Sequence, residues 1–140
     1  MIKALFRLLF RLRGWQLHQP MPPEARHCIM IAAPHTSNWD FVYTMTALDL
    51  LGIDARFTIK REFNRWPFGR WMESLGALWI DRRPKQPGEA RPSMVQAMVD
   101  LLAAKDDEPI AMIVTPEGTR SLREEWRTGF YHVAVQSGLP

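Results

Sequence analysis

A histidine and an aspartate stand five residues apart in the segment His35–Asp40, which reads H-T-S-N-W-D. A histidine has an unperturbed pKa of about 6.5 and can accept a proton near neutral pH, so His35 is a candidate general base. An aspartate beside it would hold the imidazole in one tautomer and stabilise its cation. Five residues on a continuous helix lie ~140° apart, so the two side chains can meet only if His35 lies in a loop and Asp40 in a helix's first turn.

A purely structural role for Asp40 also fits the sequence. Ser37 and Asp40 have the spacing of a capping box, in which two side chains satisfy the free N–H groups at the start of a helix. Thr36, Ser37 and Asn38 are all good N-caps, and Pro34 disfavours helical structure before them. The segment therefore predicts the start of a helix, and either role of Asp40 is compatible with it.

The 140-residue chain has the composition of one globular domain. Hydrophobic residues make up 46%, which excludes a disordered chain. The single cysteine, Cys28, excludes an internal disulfide, and its place in an apolar run indicates a core residue. No histidines are paired at ligand spacing, so we predict no metal site. The chain also lacks a G-x-S-x-G elbow and a P-loop, and we predict no cofactor.

The basic excess of the chain lies in residues 1–13. The net charge is +3, and Lys3, Arg7, Arg11 and Arg13 occur in this segment without an acidic residue. Basic residues fall on one side of a helical period and apolar residues on the other, which predicts an amphipathic helix. Such a helix suits a membrane interface, but packing on the domain's own core explains the pattern equally well. No signal peptide and no run of ~18 uncharged apolar residues is present.

After a connector over residues 14–26, short apolar strands alternate with helical patterns. The predicted strands cover residues 28–33, 55–60, 77–80 and 110–114. This alternation predicts an α/β fold with a mostly parallel central sheet flanked by helices, preceded by the N-terminal amphipathic helix. A last helix is predicted to bury Trp126, Phe130 and Val133 and to end at Gly138.

We divide the chain into an N-terminal helix with its linker, residues 1–26, and a single domain, residues 27–140. The sequence ends at Pro140, where another buried strand is expected to begin. We therefore expect the domain to be incomplete at its C-terminal end.

Residues 61–75 combine arginines with four aromatic residues, Phe63, Trp66, Phe68 and Trp71. A core helix with a solvated basic side is the commonest explanation of such a pattern. An aromatic, cationic belt at a bilayer interface is a second interpretation. A nucleic-acid surface, in which the rings stack on bases, is a third and would give steeply salt-dependent binding. We predict no nucleic-acid partner.

Polar clusters follow three of the predicted strands. They are His35–Asp40, Asp81–Arg83 and Glu117–Arg120. Ligands of parallel α/β sheets bind outside the carboxyl ends of the strands, so we expect the three clusters to share one crevice. Gly118 lets the backbone approach a ligand, Thr119 offers a hydroxyl, and Arg120 can hold a phosphate with two donors. Arg82 could add a second charge, although P-E-G-T-R-S alone also fits a simple Pro-Gly turn.

Three motifs, in this order, resemble the first three sequence blocks of the glycerophospholipid acyltransferases, which include 1-acylglycerol-3-phosphate acyltransferase. They are H-x-x-x-x-D at His35–Asp40, G-A-L-W-I-D-R at Gly76–Arg82 and P-E-G-T-R-S at Pro116–Ser121. W-R-T-G at Trp126–Gly129, followed by Gly138-Leu139-Pro140, resembles the start of the fourth block. The resemblance covers roughly residues 28–140. Thr115, Trp79 and Arg127 depart from the residues usual in the family.

The resemblance implies a role for each motif. His35 would deprotonate the acceptor's hydroxyl and Asp40 would orient His35. The activated oxygen would attack the thioester of an acyl-CoA or an acyl carrier protein, without a covalent acyl-enzyme. The acceptor, a lysophospholipid such as 1-acylglycerol-3-phosphate, would be bound by Arg82, Glu117, Gly118, Thr119 and Arg120.

We therefore expect a membrane-associated O-acyltransferase of phospholipid biosynthesis. Residues 1–13 would hold it as a peripheral protein on the cytoplasmic face of a membrane. The alternative is a catalytically silent, membrane-binding fragment of such an enzyme. Release of free thiol from acyl-CoA distinguishes the two.

Overall fold

The computed structural model describes residues 2–18, 21–84, 90–105, 108–121 and 123–140. In chain order these contain α1 (Ile2–Leu12), β1 (Cys28–Ile31), α2 (Asn38–Leu50), β2 (Ala55–Lys60), α3 (Phe68–Ser74), β3 (Ala77–Ile80), α4 (Met94–Ala103), β4 (Ala111–Val114) and α5 (Gly129–Ser137). Met1 and residues 19–20 of the predicted N-terminal region lie outside the described residues. Among the helices described, none combines the length and apolarity needed to cross a membrane.

The four strands form one parallel sheet in the order β1-β4-β2-β3. Ile31 of β1 pairs with Val114 of β4, and Lys60 of β2 pairs with Ile80 of β3. A helix connects each strand to the next in sequence, as crossover connections between parallel strands require. The predicted α/β fold with a parallel central sheet and an N-terminal helix is confirmed.

Side chains alternate between the two faces of the sheet, following the two-residue period of a strand. On one face Met30, Phe57 and Ile113 belong to a core that includes α2. On the other face Met112 and Val114 pack with α4 and α5. Met112, at the centre of β4, is fully buried, and burial of such a side chain contributes about 1.5–3 kcal/mol.

Gly76 fixes the point at which β3 begins. Its φ is +99°, and a Cβ there would overlap the backbone oxygen of Ala55. Its own carbonyl accepts a hydrogen bond of 3.2 Å from the N–H of Phe57. Only glycine allows β2 and β3 to approach so closely at this level.

Helix α1 packs on the domain along one side. Phe10 is buried, with its ring centroid 6.4 Å from that of Tyr43 on α2. Asp49, near the end of α2, accepts hydrogen bonds from Lys3 Nζ at 3.1 Å and from Arg7 Nε at 2.8 Å. Of the two explanations left open by the sequence, packing on the domain holds for this side of the helix.

A second side of α1 is apolar and faces solvent. Leu5, Leu8 and Leu12 follow helical spacing, and all three are exposed, Leu12 by 73%. Arg11 and Arg13 are exposed beside them. This side is the part of the predicted amphipathic helix that the domain does not cover.

Residues 61–75 do not form one core helix, contrary to the commonest explanation of their sequence. A 3-10 turn at Arg61–Phe63 is separated from α3, and Phe63 and Trp66 are exposed. Pro67 explains the break, because proline lacks an N–H and the residue before it avoids helical angles. The α-helix of this region is α3, which starts only at Phe68 and buries Met72.

The end of the chain also differs in detail from the prediction. Trp126 lies before α5 and is exposed, because the helix begins only at Gly129. Val133 is fully buried and Gly138 is the left-handed C-cap, as predicted. The carbonyl of Pro140 accepts a hydrogen bond of 2.8 Å from the N–H of Ile29 on β1.

Candidate active site

The three polar clusters follow strands that end at the same edge of the sheet, as predicted, but the strand order separates them unequally. β1 and β4 are neighbours, so the loop with His35 lies beside the turn that begins at Thr115. β3 is three strand positions from β1, which places the exit toward Arg82 about 14 Å away, from a strand spacing of ~4.8 Å. Within the described part of the chain, no hydrogen bond or ion pair joins His35 to Arg82 or Glu117.

His35 and Asp40 come together at the exit of β1. His35 Nδ1 is 3.6 Å from Asp40 Oδ2, and both side chains are partly exposed. This separation is too long for a hydrogen bond but short enough for the carboxylate to stabilise an imidazolium. The geometry expected from the sequence, with His35 in a loop and Asp40 in the first helical turn, is present.

Asp40 also caps α2. Its Oδ2 accepts hydrogen bonds from the backbone N–H of Thr36 at 2.6 Å and of Ser37 at 2.7 Å, while Ser37 Oγ accepts one from the N–H of Trp39. The bond from the Ser37 N–H, followed by that from Thr36 and the charge of His35, lowers the pKa of Asp40. Asp40 is therefore ionised at neutral pH, and one carboxylate serves the helix cap and faces the imidazole.

The turn after β4 holds a buried carboxylate. Glu117 is only 7% exposed, and its Oε2 is the buried side-chain oxygen for which the described residues supply no hydrogen-bond partner. Gly118 has φ +63°, and its N–H donates to the carbonyl of Thr115 at 3.1 Å. An unpaired polar group in the interior costs about 1–3 kcal/mol, so a ligand that donates a hydrogen bond to Glu117 would relieve that cost.

The other predicted residues of this turn are more accessible. Thr119 Oγ1 accepts a hydrogen bond of 3.3 Å from the N–H of Ser121. The side chain of Arg120 is exposed. Thr119 and Arg120 are the two residues after Gly118, whose left-handed backbone conformation changes the direction of the chain.

Arg127 belongs to the same turn although the predicted site residues do not include it. Its N–H donates to the carbonyl of Pro116 at 3.0 Å, and its Cδ and Nε lie 3.5 Å from the position of a Cβ on Gly118. The W-R-T-G motif drew attention to Arg127 in the sequence but did not reveal its contact with Gly118. An open cleft of about 540 Å³ beside this turn is lined by Glu117, Arg123, Glu124, Glu125, Trp126 and Arg127.

Arg82 lies at the exit of β3 and is partly held by the protein. Its Nε donates to the carbonyl of Pro92 at 3.0 Å, and its own carbonyl accepts from Arg91 Nε at 3.2 Å. The adjacent Asp81 pairs with Arg83, whose hydrogen bonds lower the pKa of that carboxyl. Arg82 thus connects β3 to the loop before α4 and stands apart from the other predicted site residues.

Two further kinds of site have little support in the structure. Burial raises the pKa of the Cys28 thiol, which lies 3.6 Å from the carbonyl of Ala25, so Cys28 is a poor nucleophile. In the residues that the structure describes, no three His, Cys, Asp or Glu side chains group as metal ligands would. The candidate site therefore consists of the His35 loop and the turn after β4.

A family model described as Acyltransferase matches residues 16–140. This range contains every residue predicted from the sequence to bind substrate or to act as the base, and it excludes α1. No curated protein and no solved structure matches the chain.

Proposed function

The chain belongs to the acyltransferase family, and we propose that it moves a fatty acyl group onto the hydroxyl of a lysophospholipid such as 1-acylglycerol-3-phosphate. The donor is a thioester, either acyl-CoA or an acyl carrier protein. The observation that carries the proposal is the His35–Asp40 pair, 3.6 Å apart, at a strand exit that adjoins the turn with the buried Glu117.

His35 acts as the general base in this reaction. Its Nδ1 is turned to Asp40, which leaves Nε2 to take the proton from the acceptor's hydroxyl. The oxygen attacks the thioester carbonyl, the new C–O bond forms, and the C–S bond breaks. The thiolate then receives the proton from the imidazolium, so His35 returns to its neutral state. Asp40 stabilises the imidazolium while it exists.

The turn after β4 binds the acceptor's glycerol phosphate. Glu117 accepts a hydrogen bond from a glycerol hydroxyl, which gives its buried oxygen a partner. Gly118 lets the backbone approach the phosphate, Thr119 offers a hydroxyl, and Arg120 neutralises the phosphate. Arg82 Nε donates to the carbonyl of Pro92, and its terminal nitrogens are the groups proposed to reach the phosphate from the exit of β3.

The protein acts as a peripheral enzyme on the cytoplasmic face of a membrane. Exposed Leu5, Leu8 and Leu12 of α1 enter the boundary between headgroups and acyl chains. Arg11 and Arg13 lie beside them near anionic headgroups. Lys3 and Arg7 are engaged by Asp49 and hold the helix on the domain.

Thiol release tests the assignment of the base. The purified chain is supplied with lipid vesicles, 1-acylglycerol-3-phosphate and acyl-CoA, and both free thiol and acylated lipid are measured. We expect His35→Ala to lower the rate at least about 100-fold, which is the usual contribution of a general base. The control is His132→Ala, because His132 is an exposed histidine on α5. Equal thiol release by His35→Ala and the wild type would refute the assignment of His35 as the general base.

The exposed leucines of α1 also fit the alternative, a catalytically silent membrane-binding module. That alternative predicts sedimentation with vesicles and no thiol release from either acyl-CoA or acyl carrier protein. Acylated lipid formed from either donor would rule it out, and the donor that supports turnover identifies the thioester.

A further inference from the structure

We propose that residues 61–71, here called the aromatic segment, form a second membrane-contact surface that enters the interface of an anionic bilayer beside the active site. The proposal deepens the membrane association proposed above and rests on it for the partner. It requires nothing of the catalytic step, so binding and turnover can fail independently.

The aromatic segment presents large apolar side chains to solvent. Its exposed rings are Phe63, Trp66, Phe68 and Trp71, and Trp66 is 83% exposed. The rings of Phe68 and Trp71 are 5.9 Å apart, so the exposed groups are contiguous at that point. Contiguous exposed apolar groups on a soluble domain mark an interaction surface.

The backbone of the aromatic segment is fixed in this arrangement. The N–H of Asn64 donates to the carbonyl of Arg61 at 2.9 Å, and the N–H of Gly69 donates to the carbonyl of Arg65 at 2.7 Å. Gly69 is buried, and a Cβ there would overlap the side chain of Asn64. These hydrogen bonds and the close packing of Gly69 fix the backbone on both sides of Trp66, so the side chain of Trp66 is held in its exposed position.

The charge of the aromatic segment favours an anionic lipid surface. Together with Lys60, it carries the basic residues Arg61, Arg65 and Arg70 and one acidic residue, Glu62. Tryptophan is enriched at the level of lipid headgroups because its ring is apolar and its N–H is polar. Arginines at the same level attract anionic headgroups. Rings and charges in one exposed segment match both properties of the bilayer interface.

The position of the aromatic segment agrees with a membrane-facing active site. It follows directly after β2, at the sheet edge that also bears the exits of β1 and β4. Ile2 and Phe6 of α1 pack in one cluster with Met72 and Leu75, at the end of α3. Helix α1, which carries the exposed leucines, and α3, which begins within the aromatic segment, therefore pack on the same face of the sheet.

A nucleic acid fits these features less well. The exposed side of α1 presents Leu5, Leu8 and Leu12 beside its arginines, and leucine side chains offer no flat ring on which a base could stack. Phe68 and Trp71 meet edge to face, at 60°, so they do not form a stack of parallel platforms.

Vesicle sedimentation with the full chain tests the surface. The wild type is compared with the double variant Phe63→Ser/Trp66→Ser on phosphatidylcholine vesicles with and without phosphatidylglycerol. We expect binding of the wild type to be tighter with phosphatidylglycerol, and the double variant to bind about tenfold more weakly. The matched control is Tyr131→Ser, because Tyr131 is as exposed as Phe63, 58%, but lies on α5 against the other sheet face.

Trp66→Phe gives a second readout that does not depend on affinity. The difference in fluorescence between the wild type and this variant isolates Trp66, and brominated lipid should quench that emission on vesicle binding. Vesicle binding unchanged in the double variant, or no quenching of Trp66, overturns the proposal. Loss of single-stranded RNA binding in the same variant would instead assign the segment to nucleic acid.

Thiol release with a short-chain, water-soluble lysophosphatidate separates this inference from the proposed function. The double variant should retain the wild-type rate there. Absence of thiol release in the wild type would count against the acyltransferase assignment and leave the vesicle result unaffected.

Discussion

Asp49, whose side chain is 20% exposed, is a partly buried carboxylate, Glu117 is a buried one, and the surroundings of the two are opposite. Asp49 receives Lys3 at 3.1 Å and Arg7 at 2.7 Å. Glu117 has one oxygen without a hydrogen-bond partner among the described residues. Asp49, which the chain pairs with two cations, joins α1 to α2. Glu117, whose Oε2 has no partner among the described residues, is available to a ligand.

The two carboxylates also lie at opposite edges of the sheet. Asp49 lines a cavity of about 160 Å³ with Ala55 and Gly76, near the amino ends of β2 and β3. Glu117 lines the larger cleft at the carboxyl end of β4. Ligands of parallel α/β sheets bind at carboxyl ends, so a substitution at Asp49 should alter stability and one at Glu117 should alter activity.

Among the substitutions that test this comparison, Glu117→Gln should produce the largest effect. We expect kcat/KM for acyl transfer to fall about 10- to 100-fold, because a hydrogen bond to a charged group contributes about 1.5–3 kcal/mol. The free energy of unfolding, measured in urea, should stay the same or rise, because an unpaired buried charge is removed. A lower free energy of unfolding with normal activity would instead show that Glu117, like Asp49, contributes to stability.

Arg127→Ala should come next in size. The side chain lies against Gly118 beside the proposed acceptor site, so we expect the KM for the acceptor to rise about tenfold, equal to ~1.4 kcal/mol, with little change in kcat. Arg127→Lys should recover part of the loss, because it keeps the charge without the two-pronged donor. Lys105→Ala, which removes a surface pair with Glu108, is the control. An unchanged KM would remove Arg127 from the acceptor site.

Asp49→Asn should lower the free energy of unfolding by about 1 kcal/mol, since it weakens two partly buried ion pairs between α1 and α2. Activity per folded molecule should remain within about twofold of the wild type. Asp54→Asn is the control, because Asp54 pairs with Arg56 but is more exposed, and we expect it to cost less. Equal losses of unfolding free energy in both variants would show that the greater burial of Asp49 adds nothing to the stabilising effect of its ion pairs.

The smallest expected effect is the pH dependence of the Asp49 contribution. Burial alone would raise the pKa of Asp49, but the hydrogen bonds and charges of Arg7 and Lys3 bring it below its ordinary value of 3.8. The unfolded chain then binds more protons, so the stability due to Asp49 is present above that value and is lost as pH falls through the folded-state pKa. The difference in unfolding free energy between wild type and Asp49→Asn should be constant from about pH 7 to 5 and shrink below about pH 4.

The sheet and its functional edge were predictable because they depend on local patterns. Apolar runs such as Ala77–Ile80 are strands, and helices between them force parallel pairing. Parallel pairing in turn places His35 and Glu117 at the same edge. Ser37 and Asp40 signalled the start of α2 through capping chemistry, which acts within four residues.

The remaining features depend on contacts between distant parts of the chain. The order β1-β4-β2-β3 is set by packing of the whole sheet, so the sequence did not show that Arg82 would be separated from His35. Trp126 was expected inside, and a core helix over residues 61–75 would have covered Trp66, because apolar periodicity presumes a covered side. The structure leaves both exposed. The contact of Arg127 with Gly118 arises only after the intervening loop turns back.

The close approach of Gly76 to Ala55 has a consequence for how this protein can change during evolution or engineering. Because no larger residue fits at Gly76, the starting point of β3 is fixed. The number of residues between Gly76 and Arg82 then determines where Arg82 lies. One inserted residue would turn every following side chain of the strand to the opposite side and would displace the arginine that we propose as a phosphate ligand. Insertions and deletions should therefore be tolerated in surface connections and rejected within this block.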